Sequence, residues 1–316
     1  MADEVRPVVV VAGATGGLGL RIARELGRCG AGVKAVIRPG TAPERTASLA
    51  AVSATLVPVD LTDRAGLARA CAGAACVVSA LNGLEETILD GQAALLDAAV
   101  AAGVPRFIPS DFALDFTRTK PGGNRNLDLR RRFQQRLDRA PVRATSVLNG
   151  GFMDMLTGQM PLIQFGWRRV LYWGDADQPL DFTAMDDVAA FTAITALDDG
   201  APRILRIAGE VVSARELAEA ASEVAGGHFK TLRMGGVGSL GAMIAAARVL
   251  APGRGQVFPV WQGMQYLRDM FGGAGKLDPL DNGRYPGLHW RGVREVLARQ
   301  YRVARVAQEM PRQLLR

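Results

Sequence analysis

The feature that most constrains this chain is Val8-Val9-Val10-Val11-Ala12-Gly13-Ala14-Thr15-Gly16-Gly17-Leu18-Gly19-Leu20. Four consecutive valines followed by small residues predict a short strand buried on both faces, as in the middle of a parallel sheet. The glycines then turn the chain into a helix carrying Ile22, Ala23 and Leu26 on one side. In such a corner Gly13 permits the tight bend, Gly16 lets the backbone approach a diphosphate, and Gly19 lets helix and strand pack closely. Thr15, Gly17 and Leu18 complete the turn, where free helix amides and the positive dipole end would face phosphates. An ordinary glycine-rich strand-helix corner is the competing explanation, but it requires none of this spacing.

The pattern continues. Val33 to Ile37 predicts a second strand, Thr55 to Val59 a third, Cys76 to Ala80 a fourth, Arg106 to Pro109 a fifth and Arg143 to Leu148 a sixth. Helices are expected between them, over Leu67, Ala70 and Cys71 and from about residue 85 to 102. Alternating strands and helices predict an α/β fold, a Rossmann-type doubly wound parallel sheet with right-handed crossovers and a smaller C-terminal α/β lobe. Ligands of such sheets sit at the carboxyl ends of the strands. The expected division is 1–152 for the dinucleotide-binding domain, with a later strand near 203–208 completing its sheet, and 153–316 for a substrate-binding lobe. Within that lobe, short strands are expected at 171–174 and 180–183. Helices are expected after an Asp186-Asp187 cap and over 213–226, with mainly helical structure from Met234 to Trp290.

The strand ends supply the other candidates. No Asp or Glu occurs between Glu25 and Glu44, where an acidic residue would bind a ribose 2′-hydroxyl; Arg38 stands there instead. A guanidinium pairs with a phosphate, so NADP is expected over NAD, although an exposed loop arginine explains Arg38 as well. Asp60 and Leu61 would lie by the adenine, with turn stabilisation the competing role for Asp60. Thr62 or Asp63 would cap the next helix. Ala80 and Leu81 would pass the cofactor ribose, and Asn149 to Phe152 would wall the nicotinamide. Ser110 and Asp111 follow strand five; Asp111 is expected to be a helix cap first and a site carboxylate second. Lys120 is expected in solvent.

Composition narrows the classes. Hydrophobic residues make up 48% and charged residues 22%, which fits a globular protein. The acidic start Met1 to Glu4 is not expected to be a signal peptide, and apolar stretches such as 240–247 are too short to span a bilayer. Cys29, Cys71 and Cys76 form no CxxC pair, and reduced thiols in a cytoplasmic protein are expected. His228 and His289 stand apart without a ligand pattern, so no metal site is expected. The net charge of +7 comes mostly from scattered arginines, concentrated at Arg130-Arg131-Arg132 and towards Arg316, without aromatic interleaving. Solvated surface is expected, and no nucleic-acid partner.

Gly13 to Gly19, Val36 to Arg38, Gly103-Val104-Pro105-Arg106-Phe107-Ile108-Pro109-Ser110-Asp111-Phe112 and Thr145 to Phe152 together resemble the NmrA-like proteins, which include isoflavone reductase-like enzymes within the atypical short-chain dehydrogenase/reductases. The resemblance runs through the Asp186-Asp187 helix and implies a Rossmann domain, NADPH binding and, in the enzymatic branch, hydride transfer to small aromatic or unsaturated molecules. The chain departs from that branch in two ways. Arg130 occupies the position of the branch's lysine, and none of Tyr172, Tyr266, Tyr285 or Tyr301 is followed four residues later by lysine.

Helical spacing places Asn126, Leu129, Arg130, Phe133 and Leu137 on one stripe. An arginine there requires acceptors, whether cofactor hydroxyls, a substrate oxygen or a structural carboxylate; a stem that packs while the head reaches solvent is equally compatible. The sequence therefore predicts an NADP-dependent reductase of a small conjugated carbonyl or aromatic substrate. Arg130 would position the ribose or polarise the acceptor oxygen, and Ser110 or solvent would relay the proton. The competing expectation is a non-catalytic dinucleotide-binding redox sensor that reports to a protein partner.

Overall fold

The computed structural model describes residues 6–158, 160 and 162–309. The acidic start at Met1 to Glu4 and the arginines towards Arg316 lie outside the described residues.

Strand β1 (Val8–Ala12) runs into helix α1 (Gly17–Arg28), followed by β2 (Gly32–Ile37), α2 (Pro43–Ala50), β3 (Thr55–Pro58), α3 (Arg64–Cys71) and β4 (Cys76–Ser79). After a wide π-type turn at Glu86–Gly91 come α4 (Gln92–Ala101), β5 (Arg106–Ile108), α5 (Arg125–Leu137), β6 (Arg143–Ala144) and β7 (Ser146–Leu148). Six strands form one parallel sheet in the order β3-β2-β1-β4-β5-β6. The strand expected over 143–148 divides at Thr145: β6 pairs with β5, whereas β7 pairs in parallel with β12 (Ile204–Arg206), the returning strand expected near 203–208.

The valine run explains why this sheet is central. Val9 and Val11 point into a cluster with Ile22, Ala23 and Leu26 of α1, whereas Val10 and Ala12 point into one with Leu67, Leu95, Leu96 and Phe133 from α3, α4 and α5. Strand side chains alternate between faces, so four buried apolar residues in a row require helices on both sides.

Beyond β7 the chain forms β8 (Gly151–Phe152), β9 (Ile163–Gln164), β10 (Arg169–Tyr172), β11 (Leu180–Thr183), α6 (Met185–Leu197) and then β12. There follow β13 (Glu210–Val212), α7 (Ala214–Ala225), β14 (Lys230–Arg233), α8 (Val237–Leu250), α9 (Val260–Phe271) and α10 (Val293–Glu309). Helix α6 packs on α1, adding Val188, Phe191 and Ala193 to the cluster beneath Val9. A third cluster joins Leu148, Phe182, Trp173, Leu217, Met270 and Phe271. Two small sheets, β14-β10-β9 and β13-β11-β8, frame it.

Asp186 and Asp187 do not cap α6. Ala184 occupies the cap position, and Asp154 Oδ2 accepts from the Met185 amide at 2.7 Å. The two aspartates sit in the first turn, where the helix dipole favours negative charge. There Asp186 accepts from Arg21 Nε of α1 at 2.7 Å, and Asp187 pairs with Arg291. Most of the described arginines are exposed, as expected, but some are drawn inward: buried Arg106 donates to the Thr195 and Asp198 carbonyls, and part-buried Arg131 to the Phe116 and Thr119 carbonyls. Carbonyls left over where helices and loops end are the natural acceptors for such forks.

Candidate functional site: the carboxyl edge of the sheet

Because every strand of the central sheet runs the same way, the loops after β1, β2, β3, β4 and β5 open on one edge. The chain reverses its order between β1 and β4, which makes a crevice there. Gly13 has φ +80°, and a Cβ on it would lie 2.5 Å from the Ala80 carbonyl oxygen. The loops after β1 and β4 therefore meet backbone to backbone. A Cβ on Gly19 would overlap the Gly13 carbonyl, so this residue fixes how closely α1 approaches the turn. Gly16 is different: exposed, at φ −85°, its nearest neighbour for a Cβ is the Gly13 oxygen at 3.2 Å.

The start of α1 is bare. Asp63, Asn124 and Ser213 each accept a backbone amide hydrogen at the starts of α3, α5 and α7, but no side chain caps α1, which has no acidic residue in its first turn. Gly16 and Gly17 are exposed, and Thr15 and Leu18 partly so. First-turn amides with no intrahelical acceptor and a dipole with no acidic residue in the first turn suit an anion such as a diphosphate, and Arg21, whose Nη1 donates to the Gly17 carbonyl at 2.8 Å, stands beside them. On that observation the residues fit a dinucleotide.

Around this corner, Arg38 is exposed just beyond β2, with Asp60 near enough to feel its charge. Asp60 Oδ1 is occupied by the Thr62 amide and hydroxyl, at 2.9 and 2.7 Å, and those bonds lower its pKa, with Arg38 a smaller contributor. Of the two roles weighed for Asp60, the turn is therefore visible directly. Asp63 is the cap of α3. Leu61 reaches across to Gly91, where a Cβ would come within 2.9 Å of its Cδ1.

Ser110 is buried and tied on both sides. Its amide donates to Gln92 Oε1 at 2.8 Å, and its hydroxyl to the Leu81 carbonyl at 2.5 Å, joining the loops after β4 and β5. Fully buried Gln92 is a site residue that sequence reasoning missed; its one signal is an amide within an otherwise apolar helix. Asp111 is a correction: it caps no helix, because α5 starts at Arg125 with Asn124 as its cap. Asp111 is instead fully buried, accepting from the Ser146 hydroxyl at 2.6 Å through Oδ2. Burial raises its pKa, against lowering by the Ser146 bond and then by Arg130 and Arg203.

Asn149 and Gly150 donate their amides to the Ala113 carbonyl at 3.0 and 3.1 Å, which binds the loop after β7 to the segment after β5. Gly151 lies under α9: a Cβ there would come within 3.4 Å of Met270 Cε. Phe152, half-buried, packs against the cluster beneath α1 and α6. Lys120 is exposed, as expected.

Arg130 is only 7% exposed. Its Nη1 donates to the Asn126 carbonyl at 2.9 Å, while Nε, fully buried, has no partner. The alternative of a packed stem with a solvated head does not describe it. Ser79 Oγ, Asp111 Oδ1 and Asn149 Oδ1 are likewise buried without partners. Buried polar groups are nearly always paired; Trp173 Nε1, Arg203 Nη2 and Gln262 Oε1 share this state elsewhere, while Ser79, Asp111 and Asn149 have it at or just past the carboxyl ends of β4, β5 and β7.

Other chemistries find less support. Burial pushes the Cys71 and Cys76 thiols up to about 11 and about 12, too high for a thiolate nucleophile. Among the described residues no cluster of three or more His, Cys, Asp or Glu side chains is arranged for a metal, and no helix is long and apolar enough to cross a membrane.

The comparisons agree with this architecture. The isoflavone reductase homolog IRL of Zea mays is 31% identical over 211 residues, spanning 63% of this chain and 66% of that protein, just under two thirds of its length. Bifunctional pinoresinol-lariciresinol reductase 1 of Linum usitatissimum is 27% identical over 238 residues, 70% of this chain and 76% of that protein. The solved binary complex of leucoanthocyanidin reductase with NADPH from Vitis vinifera has the same fold, with a TM-score of 0.77 over 92% of this chain and 98% of that one at 20% identity. The profile of the NmrA-like family matches residues 6–249, and the chain belongs to that family.

Proposed function

We propose that this protein is an NADP-dependent oxidoreductase that reduces a small conjugated carbonyl or aromatic substrate. The observation that carries the reading is the bare start of α1 behind Gly13, Gly16 and Gly19, open at the switch point of a parallel sheet. The reductases among the relatives support it.

In this reading the amides of Gly17 and Leu18 hold the diphosphate, Gly16, whose own amide donates to the Gly13 carbonyl at 3.0 Å, lets it approach, and Thr15 flanks it. Arg38 takes the 2′-phosphate; the end of β2 carries no acidic residue of its own, and the neighbouring Asp60 carboxylate is occupied by Thr62. Asp60 and Leu61 border the adenine, Ala80 and Leu81 the ribose, and Asn149 and Phe152 the nicotinamide. The cofactor supplies a hydride when bound. Ser110 holds the β4 and β5 loops in register, and Arg130 stabilises negative charge on the substrate oxygen; its guanidinium stays protonated and cannot itself deliver a proton. Residues 1–152 form the dinucleotide-binding part and 153–316 the substrate part, working in the cytoplasm.

The test is a panel of enones, quinones and aldehydes with NADPH and NADH, followed by absorbance at the nicotinamide band. Saturable, protein-dependent oxidation that favours NADPH is expected. Binding of both reduced and oxidised cofactor without turnover of any member would transfer the assignment to a redox sensor.

A further inference from the structure

Helices α8 and α9 form a hairpin whose tip, over residues 249–260, is apolar and open to solvent. At the end of α8, Val249 is 79% exposed and Leu250 84%; at the start of α9, Phe258 is 48% exposed and Val260 64%. Large apolar side chains gathered in this way mark a contact surface. The tip is also held in shape from within. Trp261 Nε1 donates to the Pro252 carbonyl at 2.9 Å, and the Gln256 amide to the Gly253 carbonyl at 3.0 Å. From the start of α5, Arg125 Nη2 donates to the Val257 carbonyl at 2.6 Å and Asn126 Nδ2 to the same oxygen at 3.1 Å. Carbonyls of the turn thus find donors inside the protein, and the side chains left facing water are aliphatic and aromatic.

Charge decides what such a surface meets. No acidic residue occurs between Glu223 and Asp269, whereas Arg248 and Arg254 flank the tip and are exposed. Arg125 and Arg248 both lie over the Trp261 ring, 4.7 and 5.2 Å from its centroid, so two like charges share one indole. Elsewhere arginines pair with carboxylates, as Arg21 does with Asp186, Arg284 with Asp198 and Arg294 with Glu223. Among the described residues, Arg125, Arg248 and Arg254 have no such partner. A second copy of the chain is poorly suited to this face, because a two-fold contact through it would bring the arginines of both copies together without a carboxylate. An anionic lipid surface suits it: aliphatic side chains enter the boundary of the acyl layer while guanidinium groups meet phosphates.

We propose that the tip of the α8–α9 hairpin docks on anionic phospholipid bilayers. The contact is peripheral, through Val249, Leu250, Phe258 and Val260 with Arg248 and Arg254 beside them; no described helix is long and apolar enough to cross a membrane. It does not depend on the reductase reading.

The test is co-sedimentation of the full chain with vesicles of phosphatidylcholine alone or of equal parts phosphatidylcholine and phosphatidylglycerol, at low and high salt. The unmodified protein is expected to bind the mixed vesicles, to leave phosphatidylcholine unbound, and to release as salt rises. Arg254→Gln is expected to bind about fivefold more weakly, the equivalent of about 1 kcal/mol for one cation beside an anionic surface. Val249→Ser combined with Leu250→Ser is expected to weaken binding at least about 10-fold. Both variants change exposed side chains, so their Tm is expected within about 1 °C of the parent. Failure of the unmodified protein to bind mixed vesicles overturns the proposal, as does equal binding to phosphatidylcholine alone. Either variant binding as tightly as the parent also overturns it, because the attraction then belongs to the general net charge of +7. Sedimentation velocity without lipid covers the remaining occupant: a dimer that the double serine variant disperses assigns this face to a second copy and overturns the lipid.

Discussion

Gly13 and Gly16 lie three residues apart in one corner, and the structure assigns them separable work. Gly13→Ala places a methyl group at φ +80°, where an L-residue costs about 1–2 kcal/mol, and drives it to 2.5 Å from the Ala80 carbonyl oxygen. Backbone on the far side cannot rotate away as a side chain would, so overpacking adds about 1–2 kcal/mol. A total near 3 kcal/mol corresponds to about 4–5 °C in Tm for 316 residues. Gly16→Ala faces the smaller penalty: φ is −85°, and the one close atom, the Gly13 carbonyl oxygen at 3.2 Å, has to give by only a few tenths of an ångström. Its methyl group instead projects over the bare start of α1, where phosphate oxygens would approach the amides.

The expectation for Gly16→Ala is a Tm within about 1 °C of the unmodified protein and NADPH affinity reduced at least about 10-fold, a loss comparable to one charge-assisted hydrogen bond. Differential scanning calorimetry without ligand and titration calorimetry with NADPH measure the two quantities separately. Gly16→Ala protein binding NADPH normally would refute the assignment of the diphosphate to this corner. Gly13→Ala protein as stable as the parent would refute the packing argument.

Arg38→Asp is expected to weaken NADPH binding about 10- to 100-fold while leaving NADH binding unchanged or improved, read by nicotinamide fluorescence; parallel changes for both cofactors would dismiss the 2′-phosphate role. Arg130→Met removes a buried guanidinium whose Nε has no partner, so the apo protein is expected to gain about 1 kcal/mol in urea unfolding while losing turnover. Lost stability would mean that Arg130 is structural. For Asp111, burial raises the folded-state pKa above the unfolded value, so the folded state holds the proton more tightly. Its stabilising contribution is fully present below the unfolded value and is lost as pH rises through the folded one. Asp111→Asn should therefore flatten the fall in stability above about pH 4, the unfolded value. A pH profile identical to that of the parent contradicts this.

The sheet and its glycine corner were legible because each rests on local rules: a run of valines cannot be half-exposed, and Gly13 and Gly19 are needed wherever backbone meets backbone. The break of the sixth strand at Thr145 was not legible, since it depends on β12 arriving from sixty residues away to pair with β7. The same holds for the caps. Asp111 and Asp186 carry the right residue type for a helix start, but α6 begins before Asp186, with Ala184 at the cap position and Asp154 taking the Met185 amide, and Asp111 is drawn inward by Ser146. Arg130 was visible as an anomaly on an apolar stripe; that its Nε is left unpaired emerged only with α5, α9 and the strand ends assembled. Gln92 gave little warning, because an amide on a core helix resembles packing.

The most direct test of the cofactor corner is a backbone amide NMR titration with NADPH. The largest shifts should fall on Gly17 and Leu18, with smaller ones at Gly16, Arg38 and Leu81, and saturate at one equivalent. Shifts gathered elsewhere, for instance along the open cleft between α7 and α10 lined by Glu223, Arg294 and Tyr301, with the three corner amides unmoved, would contradict it.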